Sequence, residues 1–349
     1  MSAEPVAPLP RANPELVGHE AVEAVLRQNF DAGRLPHALL LSGPRGIGKA
    51  TLAFRLARYA LSAGEGTSLD MFGAAPPPGG GLATSPESGV FHRVAAGGHA
   101  DLLTVERAYD PRRKRLRGEI VVDDVREISA FLRLTAAEGG WRVVVVDGAD
   151  EMNSNAANSL LKILEEPPRR TLLILVAHSP GRLLPTIRSR CRHVPLASLP
   201  PATLRNLLAR YCPDLAENEA TAVAELAEGS IGRTLELVAA GGVELYRTMR
   251  AMLERRGGID TLALHGFADR VARADAEEAY RTVEELLRQH LARAAIAATR
   301  QGLRDRAARW ADLRSRIDDE FARTDGLNLD RKQTIMGAFF AIGEVASAV

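Results

Sequence analysis

The sequence predicts an α/β domain with a parallel sheet, followed by an all-helical region. A glycine-rich turn at residues 43–48 stands between a short apolar run and a helical pattern, which is how such domains begin. Two longer apolar runs, at residues 143–147 and 172–177, are typical of parallel strands buried on both faces. From about residue 200 onward the apolar residues recur with helical spacing.

The first elements follow in order from the N-terminus. Residues 1–13 are predicted to form a flexible tail, and the apolar spacing predicts a helix near His19–Ala32. A strand is expected at Ala38–Ser42 and, after the glycine-rich turn, a helix at 49–62. Residues 63–98 contain the run GAAPPPGGG, and their composition predicts an exposed, flexible insertion.

Ordered elements are expected again beyond this insertion. The apolar patterns predict a strand at Asp101–Glu106 and helices at Asp123–Leu134 and Asn155–Glu166. The last of these helices ends before Pro167, because proline cannot continue a helix. With the helical C-terminal region, these elements predict three domains, at residues 1–195, 196–242 and 243–349.

Composition argues against several classes of protein. The 349 residues carry a net charge of +1, so bulk charge does not indicate a nucleic-acid-binding protein. The two cysteines, Cys191 and Cys212, exclude a disulfide framework and a four-cysteine zinc site. The chain contains no apolar stretch of about 18 residues and no signal-peptide pattern at its N-terminus. We therefore expect a cytoplasmic protein that does not associate with a membrane.

The glycine-rich turn and the residues after it form a candidate phosphate loop, residues 43–50. It matches the pattern G-x-x-x-x-G-K-[ST] at every position but the last. Gly43, Gly46 and Gly48 allow backbone N–H groups to surround phosphate oxygens, and Lys49 is expected to reach the terminal phosphates. The alternative is a glycine-rich helix entry that binds no ligand.

Two groups that ATP hydrolysis requires are missing. The hydroxyl that binds Mg²⁺ is replaced by Ala50, and Thr51 points about 100° away around the helix, so it is expected to touch phosphate only. Asp147 occupies the Walker B position and can hold Mg²⁺ only through water, so no direct metal ligand is predicted. The next residue is Gly148 instead of the usual water-polarising glutamate, and hydrolysis is expected to be very slow.

Two segments carry a family resemblance. NAANSLLKILEEPP at residues 155–168, followed by a Ser-Arg-Cys triplet at residues 189–191, resembles the AAA+ subunits of bacterial DNA polymerase clamp loaders. Residues 196–242 then correspond to a helical lid domain and residues 243–349 to a helical collar domain. Shorter similar segments are Leu16–His19, Pro36–Ala38, His99–Leu102 and Gly139–Val143.

The resemblance implies a position in a multi-subunit complex. Because Ala50 and Gly148 replace hydrolytic groups, the chain resembles a non-hydrolysing subunit more than the gamma/tau motor. Its expected partners are the gamma/tau and delta subunits and, through the complex, a sliding clamp and primed DNA. ATP or ADP is expected to bind weakly, and no cofactor is required. Many relatives carry a four-cysteine zinc module after the phosphate loop, but that region has no cysteine here, so no zinc is expected.

In this family the arginine of the triplet reaches the ATP of the neighbouring subunit, and here that residue is Arg190. A guanidinium supplies a permanent charge and a planar set of donors to the γ-phosphate. The alternative is that Arg190 pairs with a surface acid. Cys191 is expected to be a small buried residue.

Four further residues and one segment have open interpretations. Arg233 resembles the lid arginine that senses nucleotide, but it is interpreted equally as a remnant or an interface residue. His178 either binds phosphate or caps a strand, and the second is favoured. Asp150 and Glu151 are interpreted as solvated turn acids, although Asp150 is also a candidate catalytic acid. The basic turn at residues 107–117 is interpreted as a solvated hairpin tip, because Tyr109 alone is a poor stacking platform for nucleic acid.

Three functional hypotheses follow. The first is an interaction subunit of a clamp loader that supplies Arg190 to a neighbour. The second is an autonomous AAA+ ATPase, or a gamma/tau-like motor, with Thr51 on Mg²⁺ and Asp150 as the acid. The third is a DNA-binding module that acts through the basic turn.

Overall fold

The computed structural model describes residues 7–65, 81–110, 115–138, 140–239, 241–255 and 258–347. The chain divides into two compact units. The α/β unit comprises the described chain from residue 7 to residue 207 together with residues 228–232. The helical unit comprises residues 208–227 together with the chain from residue 233 onward. The division into three domains stays a prediction.

The elements of the described residues have the following bounds. The strands are β1 (Ala38–Ser42), β2 (Leu102–Val105), β3 (Tyr109–Asp110), β4 (Arg115–Leu116), β5 (Arg142–Asp147), β6 (Thr171–Ala177) and β7 (Arg192–Pro195). The helices are α1 (Glu20–Asp31), α2 (Lys49–Glu65), α3 (Gly89–Ala95), α4 (Val122–Arg133), α5 (Ser154–Glu165), α6 (Pro185–Arg190), α7 (Pro201–Tyr211), α8 (Glu217–Leu226), α9 (Ile231–Ala239), α10 (Gly242–Leu253), α11 (Thr261–Val271), α12 (Glu277–Arg300), α13 (Arg304–Leu327) and α14 (Arg331–Ser347).

A parallel sheet organises the α/β unit. Within the described residues its strands lie in the order β2-β5-β6-β1-β7, with Ala38 of β1 beside Leu173 of β6 and Leu39 beside Arg192 of β7. Because all five strands run in one direction, the C-terminal ends of β1, β5 and β6 meet at one edge. The phosphate loop, Asp147 and His178 follow those ends and therefore come together there. The predicted α/β fold class is confirmed.

Both faces of this sheet are covered. Leu39 and Leu41 of β1 pack in the layer that contains α2, whereas Leu40 packs in the layer that contains α4 and α5. Successive side chains of a strand point to opposite faces, so a strand covered on both sides is apolar at every position. This explains why β1, β5 and β6 are continuous apolar runs in the sequence.

The segment before α1 is bound to α2 through two buried arginines. The Arg58 side chain is fully buried and donates hydrogen bonds to the backbone carbonyls of Arg11 and Asn13, both at 2.7 Å. Arg55 donates to the backbone carbonyl of Pro14 and is also paired with the buried carboxylate of Glu23 in α1. Residues 10–12 form a short 3-10 helix, so the prediction of a flexible tail is wrong for this part of residues 1–13.

The predicted insertion is shorter than expected. Helix α2 continues to Glu65, and α3 occupies part of the Gly/Pro/Ser-rich stretch. Leu82, Val90 and Val94 are buried against α2 and the sheet, so the prediction of an exposed segment over residues 63–98 is wrong at these positions. Apolar residues spaced for one helical face outweigh the local composition here. Residues 66–80 lie outside the described part of the chain.

The helical unit is built around two helices of 24 residues each, α12 and α13. Its core contains the buried aromatic residues Phe267, Tyr280, Phe321 and Phe339, and the Phe267 and Phe339 rings meet edge to face. The prediction of an all-helical C-terminal region is confirmed. No described helix is both long and apolar enough to cross a membrane.

Candidate functional site

The phosphate loop connects the C-terminal end of β1 to the start of α2. Gly43, Gly46 and Gly48 all have positive φ angles, of 146°, 75° and 103°. A Cβ atom on Gly43 would lie 2.4 Å from the carbonyl oxygen of Leu196, so only glycine fits at that position. The glycine-rich loop therefore lies between β1 and α2, as predicted, and its binding of phosphate stays a prediction.

Lys49 is turned onto its own loop. Only 3% of the residue is exposed, and Nζ donates hydrogen bonds to the carbonyls of Gly43 at 2.7 Å and Pro44 at 2.5 Å. Burial lowers the pKa of Lys49 to about 8, although Asp147 and Asp150 act in the opposite direction. A phosphate would replace these two carbonyls as the partner of the ammonium group.

The segment Gly229–Gly232 closes the other side of the loop. Ser230 Oγ donates to the carbonyl of Arg45 at 2.7 Å, and the N–H of Gly232 donates to the carbonyl of Gly46 at 2.9 Å. A Cβ on Gly232 would lie 2.9 Å from the Cα of Gly46, so the two backbones touch. Sequence reasoning missed this contact, and the glycine at 232 is the signal that indicates close backbone approach.

Asp147 lies at the end of β5, as predicted, and it is half-buried. Burial raises its pKa to about 6, the Glu106 carboxylate adds to the rise, and Lys49 opposes it. Ala50 and the buried Thr51 begin α2. The site therefore offers donors suited to phosphate, together with Asp147, whose raised pKa makes it a weaker acid than usual. Ala50 supplies no hydroxyl for a divalent cation.

Asp150 is a structural acid. Its two carboxylate oxygens accept hydrogen bonds from the backbone N–H groups of His178 at 3.0 Å and Ser179 at 2.7 Å. The residue is buried, so its interpretation as a solvated turn acid is wrong. Because both oxygens are engaged at the end of β6, the carboxylate is not directed at an attacking water, which argues against Asp150 as the catalytic acid.

Gly148 has a backbone conformation that favours glycine over the usual glutamate. Its φ is 85°, in the left-handed region, and a Cβ would lie 2.6 Å from Oε2 of Glu151. Glu151 is held in place by an ion pair with Arg107 at 2.8 Å. The glycine at position 148, where a glutamate is usual, therefore lies in a tight turn after β5 beside the side chain of Glu151.

His178 directly follows β6. Burial lowers its pKa to about 4, and the positive charge of Lys49 adds to the fall, so the imidazole is neutral at physiological pH. Its Nδ1 is buried and has no hydrogen-bond partner among the described residues. The backbone N–H of His178 donates to Asp150 at the end of β6, and a contact of the ring with phosphate stays a prediction.

Arg190 ends α6, and the buried Ile187 anchors that helix. Its side chain is 36% exposed, Nη2 lies 2.7 Å from Oε1 of Glu165, and Nη1 donates to the carbonyl of Thr186 at 3.0 Å. The guanidinium thus has a surface partner within the chain and still faces solvent. Cys191 is half-buried, so the expectation of a buried residue is met only in part. Burial raises the pKa of its side chain to about 11, and it is therefore a thiol at neutral pH.

Two candidates remain, Arg233 and the basic turn at residues 107–117. Arg233 belongs to the helical unit, where it pairs with Glu285, and its part in nucleotide binding stays a prediction. The basic turn is a two-stranded antiparallel hairpin of β3 and β4, with Tyr109 beside Leu116. Residues 111–114, with three of its basic side chains, lie outside the described residues. No cluster of three or more potential metal ligands occurs in the described chain.

A parallel sheet with a phosphate loop after β1 and an acid at the end of β5, followed by a helical region, defines a P-loop α/β protein. The family model described as DNA polymerase III, delta subunit, matches residues 18–200, and the chain belongs to that family.

The relatives that match this chain include both delta' and gamma/tau subunits of DNA polymerase III. The delta' subunit of DNA polymerase III from Pseudomonas aeruginosa is 41% identical over 180 residues, covering 51% of this chain and 48% of the relative. The gamma/tau subunit from Mycobacterium tuberculosis H37Rv is 32% identical over 289 residues, covering 80% of this chain and 46% of the relative. The chain thus spans about half the length of the curated relatives it matches. A solved gamma-subunit-related protein from Thermotoga maritima is 19% identical, covers 91% of this chain and 98% of its own, and gives a TM-score of 0.39.

The raised pKa of Asp147 predicts a pH-dependent stability. The folded chain binds more protons than the unfolded chain between pH 3.8 and about 6. The free energy of unfolding therefore falls as pH rises through that window, by roughly 3 kcal/mol at most. Asp147→Asn removes this titration, so the variant should gain stability relative to the parent from about pH 4 to about pH 6. Urea unfolding of both proteins at several pH values measures the difference, and a difference independent of pH would contradict the assignment.

The conformation of Gly148 predicts that alanine destabilises the chain more at this position than at another glycine with a positive φ. Gly33 also has a positive φ, of 63°, but a Cβ there meets nothing within 4 Å. Gly33→Ala should cost only the strain of the left-handed conformation, about 1 kcal/mol, whereas Gly148→Ala should cost at least about 1 kcal/mol more, because it displaces Glu151 from Arg107. Urea unfolding of the two variants measures the costs, and equal costs would show that Glu151 moves freely.

Proposed function

We propose that this chain is the delta-prime subunit of a bacterial DNA polymerase III clamp loader. It joins gamma/tau and delta subunits in the cytoplasm, in a complex that places a sliding clamp on primed DNA. Within that complex it supplies Arg190 to the ATP of a neighbouring subunit. The observation that carries the proposal is an exposed arginine at the end of α6 in a chain whose own phosphate loop lacks the magnesium hydroxyl and the hydrolytic glutamate.

The chemistry of Arg190 fits action in another subunit's site. Charge builds on the transferring phosphoryl group, and a guanidinium delivered from outside the subunit stabilises it. Helix α6 is short and anchored by Ile187, so the side chain projects from a fixed point. Such a role requires no hydrolysis at the subunit's own phosphate loop.

The chain's own loop fits nucleotide phosphates better than it fits a metal ion. The glycines and Lys49 provide donors, and neutral His178 adds an unpartnered ring nitrogen. A nucleotide must first displace Lys49 from two loop carbonyls, which weakens binding. Bound ATP would therefore remain unhydrolysed, and neither a cofactor nor zinc is needed for the proposed role.

A gamma/tau-like motor is the second candidate. It is favoured by the match to a gamma/tau protein, which extends over 80% of this chain. The site opposes it, because Ala50 offers no hydroxyl, the left-handed backbone at Gly148 disfavours a glutamate, and both oxygens of Asp150 are engaged.

Arginine substitution in a reconstituted clamp loader tests the proposal. Arg190→Ala should leave the complex assembled but reduce its DNA-stimulated ATPase and clamp loading about tenfold or more, since an arginine finger contributes about 10³–10⁵ at its site. Arg188→Ala, on the same helix and equally exposed, is the matched control and should behave as the parent. If Arg190→Ala also retains the parent's rates, Arg190 does not serve a neighbouring ATP.

A further inference from the structure

The guanidinium of Arg190 is held within the chain by a carboxylate. Nη2 lies 2.7 Å from Oε1 of Glu165, while Nη1 is bonded to the carbonyl of Thr186. Both side chains of the ion pair are partly exposed, at 36% and 51%. The free chain therefore holds Arg190 in a defined direction before any partner is present.

Sequence and packing set this geometry. Glu165 is the last residue of α5 and Arg190 the last residue of α6. Pro167 prevents α5 from continuing, which keeps Glu165 at the helix end. Leu164 and Ile187 are buried in the same layer of core, so the two helix ends are fixed beside each other. The helix C-termini add partial negative charge, which favours a cation at this place.

The same carboxylate competes with phosphate. A guanidinium binds a carboxylate or a phosphate through the same planar set of N–H donors, so Nη2 cannot be fully committed to both. A carboxylate left beside the γ-phosphate would also repel it. An exposed ion pair of this kind is weak and shifts an equilibrium by about two- to five-fold. An ion pair of this strength can orient the Arg190 side chain, and ATP can still displace the carboxylate from it.

We propose that Glu165 is a positioning residue for Arg190, a carboxylate latch that holds the guanidinium until the neighbour's ATP displaces it. The inference rests on the proposed function of Arg190. The latch raises the ATP concentration that the neighbouring site needs, without taking part in the chemistry.

Kinetics of the reconstituted clamp loader test the latch. Glu165→Gln keeps the size of the side chain and removes its charge. It should lower the ATP concentration for half-maximal DNA-stimulated ATPase by about two- to five-fold, with the maximal rate unchanged. Glu166→Gln is the matched control, because Glu166 is the next residue, is exposed and carries the same charge, and it should behave as the parent.

A double-substitution cycle separates the latch from the finger. In an Arg190→Ala background, Glu165→Gln should have no effect, because the partner of the latch is gone. The latch is overturned if Arg190→Ala impairs the complex but Glu165→Gln leaves the half-maximal ATP concentration unchanged, raises it, or shifts it as much as Glu166→Gln does. If Arg190→Ala itself has no effect, the proposed function fails instead.

Discussion

The parallel pairing of β1 between β6 and β7 is the constraint on which the α/β unit depends. It brings the phosphate loop, Asp147 and His178 to one edge of the sheet, because every strand ends there. The helices that cover the two faces then set the remaining positions, including the ends of α5 and α6. A change in strand order would separate Lys49 from the acids that affect its pKa.

The absence of the usual glutamate at position 148 involves the backbone as well as the side chain. Ala50 is a simple deletion of a hydroxyl, but Gly148 has a left-handed φ and a carboxylate where a side chain would stand. Glu151, which fills that space, is paired with Arg107. The turn after β5 therefore depends on glycine at position 148, whereas Ala50 differs from the usual residue in its side chain alone.

Periodic and local features of the structure could be predicted from the sequence. The apolar runs of β5 and β6, the phosphate loop and the position of Asp147 follow from local chemistry, and each is present. Contacts between distant segments could not be predicted, because no local pattern records them. The bond from Ser230 to the carbonyl of Arg45 spans 185 residues. The engagement of Asp150 by the end of β6 likewise depends on where two strands end.

The steady-state ATPase activity of the isolated chain tests the central claim most directly. The account predicts no turnover above background, with or without primed DNA, because the site lacks the hydroxyl that binds Mg²⁺ directly and the glutamate that orients the attacking water. Turnover on the order of one per second that is abolished by Lys49→Ala would contradict it. That result would make the chain a motor in its own right.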